Sequence, residues 1–88
     1  EVLARMRAMT EREAVQSAAA GVETAGTELT VAERDRQRTE TLVKAGALAQ
    51  RDLEAAEATV ANARARVAQA QANLAAAREQ LGEATARA

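Results

Sequence analysis

The sequence predicts an all-α protein: an antiparallel two-helix coiled-coil hairpin with a Leu/Val–Ala heptad seam. Three observations predict it. Larger apolar residues recur every seven positions in two long runs, each followed three residues later by a small one. There is no proline, and the abundant Ala, Glu, Arg and Gln are all good helix formers. Between the runs, Arg38–Leu53 loses the larger apolar pattern around Gly46.

The chain opens with EVLARMRAM, residues 1–9, which read as a strand-like or helical lead-in. Thr10-Glu11-Arg12-Glu13 fits a capping box, with the hydroxyl and the acid each satisfying a free N–H. The first helix is therefore expected over 10–45. Its larger seam residues are Val15, Val22, Leu29 and Val43, with Arg36 in the remaining slot. Ala18, Ala25, Ala32, Thr39 and Gly46 follow them at three. Gly21 and Gly26 weaken this arm by about 1 kcal/mol each against alanine. An arginine on the seam packs its stem and extends its head to water.

A tip loop is expected over 46–49 and a second helix over 50–85, with 86–88 as a C-terminal tail. The second seam is stricter. Leu53, Val60, Val67, Leu74 and Leu81 are spaced by seven, and Ala56, Ala63, Ala70, Ala77 and Ala84 follow at three. A sustained a/d pattern of this kind specifies a coiled coil. A short break makes the two helices antiparallel neighbours. Two registers fit. One sets Val22 opposite Ala77, Leu29 opposite Ala70 and Ala32 opposite Val67. The other, slipped by about a turn, sets Leu29 against Val67.

Composition narrows the function. Aromatic residues are absent, so a thick multilayer core is not expected. The 12 basic and 13 acidic groups balance to −1, which implies no nucleic-acid-binding face. Cysteine and histidine are absent, which removes thiol chemistry and the usual transition-metal ligands. No apolar run has the length of a membrane span. Ser17 is the only serine and has no histidine base to activate it. Glu79 and Glu83 share a helix face that reads as solvated, and Arg36–Glu40–Lys44 has the spacing of surface ion pairs. The chain is read as a non-enzyme without cofactors. It starts at Glu1 in mid-pattern, as a fragment of a longer protein would.

The tip offers a contact surface. Leu42 sits beside the seam residue Val43 and so points away from the seam, with Arg38 one turn back on the same face. From Arg38 onward, RTETLVKAGALAQRDLEAAEATV and the alanine-rich run after it resemble the hairpin of periplasmic adaptors, or membrane fusion proteins. These serve tripartite efflux pumps and type I secretion systems. The likeness covers 10–88 and is strongest over 38–84. Such hairpins carry an Arg, a Leu four on, a Ser or similar residue seven further, and an acid–Leu or Leu–acid pair opening the second helix. The matching positions are Arg38, Leu42, Ala49 and Asp52-Leu53. Ala49 departs from the pattern in lacking the hydroxyl. EVLARM and ATARA resemble strand segments flanking such a hairpin.

The resemblance implies a periplasmic protein anchored to the inner membrane through other parts of the chain. Its hairpins would assemble with like hairpins in a homo-oligomer. Arg38, Leu42 and the backbone at Ala49 would dock onto a TolC-like outer-membrane channel. An inner-membrane transporter would supply the energy. Two other readings compete: a purely structural alanine-rich spacer or self-association rod, and an amphipathic helix bound to a lipid or polymer surface. The narrow seam and missing aromatics argue against the last.

Overall fold

The computed structural model describes residues 1–87. The chain is all-α, an antiparallel hairpin of α1 (Val2–Lys44) and α2 (Gln50–Arg87) joined by residues 45–49. No strand occurs among the described residues, and none of their helices is long and apolar enough to cross a membrane.

Apart from Gly46, which lies in the turn, every seam residue named from the heptad spacing is buried or half-buried. The buried ones are almost all alanine: Ala25, Ala32, Ala63, Ala77 and Ala84, with Val60 the one larger side chain. Two helices alone cannot enclose a leucine. Alanine lets the backbones approach closely, and the Leu and Val side chains then reach past the narrow contact with one edge still open.

The structure corrects the expected start of α1, which is Val2 and not Thr10. Residues 1–9 are helical beyond Glu1, so the strand-like reading does not hold. Two causes are visible. Leu, Ala, Arg and Met all favour helix, and the seven-residue repeat continues upstream with alanines, Ala8 buried and Ala4 half-buried. Thr10 is not a cap: its Oγ1 donates to the Met6 carbonyl at 3.0 Å. Thr30, Thr41, Thr59 and Thr85 make the same bond one turn back, an arrangement that keeps a threonine hydroxyl satisfied inside a helix. At the other end, α2 runs through Arg87, so 86 and 87 are helix and not tail; Ala88 lies outside the described residues.

The chain divides into two units. The first joins Glu1–Glu23 to the end of α2 from Ala68. Ala8, Ala77 and Ala84 are its buried residues, and Val15, Val22, Leu74 and Leu81 are half-buried. Val2, Leu3, Met6 and Met9 lie off the seam and are exposed. The second unit, Thr24–Val67, contains the tip. Its core is Ala32, Val60 and Ala63, with Leu29 packed against them. Two interhelical ion pairs flank that core: Arg66 Nη1 to Glu28 Oε2 at 3.1 Å, and Arg64 Nη2 to Glu33 Oε2 at 3.5 Å. Both are exposed and so contribute little energy, but they fix alignment. Ala32 meets Val60 and Ala63, about one turn nearer the tip than the alternative in which it faces Val67.

Ala63 is 2% exposed at this contact. Replacing it with leucine should push the helices apart and destabilise the hairpin by about 1–3 kcal/mol, the usual effect of overpacking. Chemical denaturation of Ala63→Leu measures this, and an unchanged midpoint would contradict close packing there.

Candidate functional site

The candidate site is the tip, where both helix ends meet and each end must satisfy its free backbone groups. α1 closes with a Schellman motif. The Ala47 N–H donates to the Leu42 carbonyl at 2.8 Å and the Gly46 N–H to the Val43 carbonyl at 3.0 Å. This geometry needs a left-handed residue, and Gly46 supplies it with φ of 79°. No other residue described has a positive φ. A Cβ at Gly46 would meet nothing within 4 Å, so glycine is required there by the backbone and not by space.

α2 opens with half of a capping box. The Asp52 carboxylate accepts the Ala49 N–H at 3.0 Å. In a complete box a side chain at position 49 would accept the Asp52 N–H in return. Alanine has no acceptor, so the Asp52 N–H turns to the Ala49 carbonyl at 2.9 Å. The acid at Asp52 also faces the positive end of the α2 dipole.

Arg38, Leu42 and Ala49, the residues to which the resemblance gives a docking role, lie at or near this tip. Leu42 is 38% exposed in the last turn of α1, while its neighbour Val43 is half-buried on the seam. Arg38 is one turn back, its side chain 72% exposed, with Nη1 at 3.4 Å from Asp35 Oδ1. Ala49 is exposed at the start of α2. Leu48 is also exposed at 38%, and sequence reasoning missed it. It belongs to neither heptad run. The available signal was its chemistry, a leucine in a turn otherwise built of glycine and alanine.

Arg36, Glu40 and Lys44 form a ladder beneath the tip. Arg36 Nη1 lies 2.7 Å from Glu40 Oε2, and Lys44 Nζ lies 3.0 Å from Glu40 Oε1. The Lys44 hydrogen bond and charge, followed by the Arg36 hydrogen bond, hold the Glu40 carboxyl below its ordinary 4.5; slight desolvation opposes them. Arg36 is half-buried on the seam with its guanidinium paired. The ladder thus ties the last turns of α1 together.

No group of three or more potential metal ligands occurs among the described residues. An open groove of about 360 Å³ lies on the shaft between Val31, Thr59 and Arg66. Each of its two acids lies near an arginine, Glu28 at 3.1 Å from Arg66 and Asp35 at a looser 3.4 Å from Arg38. Compared with known proteins, the chain matches no family model, no curated protein and no solved structure.

Two outcomes follow from the capping and the ladder. Ala49→Ser completes the box and should stabilise the hairpin by about 1 kcal/mol; a thermal melt with an unchanged midpoint would show that the cap is already saturated. Glu40 has a lowered folded pKa, so its contribution is complete above 4.5 and is lost as pH falls through the folded value. Melts of Glu40→Gln and the parent between about pH 3 and 6 should therefore converge on the acid side. A constant difference across that range would contradict the ladder's role.

Proposed function

We propose that this chain is the channel-docking helical hairpin of a periplasmic adaptor, a membrane fusion protein of an efflux pump or type I secretion system. The observation that carries the reading is the exposed pair Arg38 and Leu42. It stands at the turn of an antiparallel hairpin, in the Arg-x-x-x-Leu spacing of adaptor tips. The seam below supplies a support and the tip supplies the contact. Leu42 enters an apolar recess at the end of a TolC-like channel, and Arg38 donates to carbonyls or carboxylates beside it. Like hairpins assemble around the channel's end. The inner-membrane transporter drives export, and the hairpin's role is connective.

Arg38 suits this task because its partner within the chain is weak. A 3.4 Å contact to an exposed Asp35 is easily exchanged for a better-aligned acceptor on another protein. The missing hydroxyl at Ala49 removes one hydrogen bond that adaptor tips otherwise offer. Docking then depends more heavily on Leu42 and Arg38. A plain spacer would need the seam residues and be indifferent to those at the tip.

Leu42→Asp in the full adaptor should abolish export of the pump's substrate while the hairpin keeps its helicity by circular dichroism. Full export by that variant would refute the docking role.

A further inference from the structure

The turn holds a second apolar residue beside Leu42, and a single atom joins the two. The Leu42 carbonyl accepts both the Ala47 N–H at 2.8 Å and the Leu48 N–H at 3.3 Å. Leu48 is thereby held against the last turn of α1 by the same cap that reverses the chain at Gly46. The two leucines have equal exposure, 38% each. Turns favour Gly, Asn, Asp and Ser, each for a backbone reason that leucine does not share. Leu48 also takes no part in the buried cluster of its unit.

Of the charges around the pair, the nearer acids are engaged, while Glu54, one turn into α2, is exposed and makes no ion pair among the described residues. Glu40 is held by Arg36 and Lys44, and Asp52 is occupied with the Ala49 N–H. Arg51 is exposed and makes no ion pair among the described residues. Arg38 has only its long contact to Asp35. The tip therefore presents two leucines with two available guanidinium groups near them.

We propose that Leu42 and Leu48 form one two-pronged apolar clasp, and that its partner is the end of a helical protein with two adjacent apolar recesses rimmed by carboxylates or free carbonyls. This rests on the docking reading above and adds a second anchor and a chemistry for the partner. Guanidinium groups favour carboxylate and carbonyl acceptors. Apolar anchors inside a polar surround carry most of the energy of compact interfaces. Two anchors held by a shared carbonyl also lose little freedom on binding.

These 88 residues have no cysteine, so Leu42→Cys, Leu48→Cys and Val31→Cys, each placed in a full adaptor cleared of any other cysteine, give single-site probes. The probe partner is a purified TolC-like channel in detergent. On adding it, maleimide labelling should slow about tenfold or more at positions 42 and 48 and stay unchanged at 31 on the shaft. Leu48→Asp and Leu42→Asp should each weaken channel binding about tenfold or more, with far-UV circular dichroism unaltered. Protection and affinity loss at 42 alone would overturn the clasp and leave the docking reading standing. Equal protection at all three positions would also overturn it, by showing burial that is not specific to the tip. Absence of binding by the unsubstituted adaptor would overturn both.

Discussion

The close approach that alanine permits is the constraint on which the rest of this structure depends. A bulkier residue at Ala32 or Ala63 would separate the helices, and Val60 would lose the contact that makes it the one buried larger side chain. The interhelical pairs Glu28–Arg66 and Glu33–Arg64 span the helices only because the backbones are near. The energy of such a hairpin is thus spread over many small contacts and concentrated in none.

The tip works on a different principle. Its conformation comes from backbone hydrogen bonds and not from packing. The α1 end is satisfied by the Schellman bonds around Gly46, whereas the α2 end has its reciprocal acceptor missing at Ala49. The capping groups are mostly main chain, so the exposed side chains at 38, 42, 48 and 51 are released from structural duty. A tip built this way can vary its exposed side chains with little effect on its shape.

Much of the fold was legible because a heptad needs only spacing. Leu53 to Leu81 and Val15 to Val43 mark their seams without knowledge of tertiary contacts. The start of α1 was not legible for the same reason in reverse. Ala4 and Ala8 continue the repeat with side chains too small to stand out, and Thr10–Glu13 carries a capping motif that is equally compatible with the middle of a helix. Register was undetermined because alternating large and small residues fit at more than one offset; the ion pairs between exposed side chains distinguish the offsets. At the tip, Leu42 could be placed by its offset from Val43. Leu48 could not, since a turn has no period.

The left-handed backbone at Gly46 also bears on how the chain reaches this structure. Closing a segment costs entropy that rises with the logarithm of its length. Contacts beside the turn close the shortest segments, so they are the least costly to form, and each one shortens the loop for the next. Assembly that starts at Gly46 and proceeds outward along the arms meets no step that requires distant residues to find one another unaided. The residue that reverses the chain is then also the point from which the paired helices grow at least entropic cost.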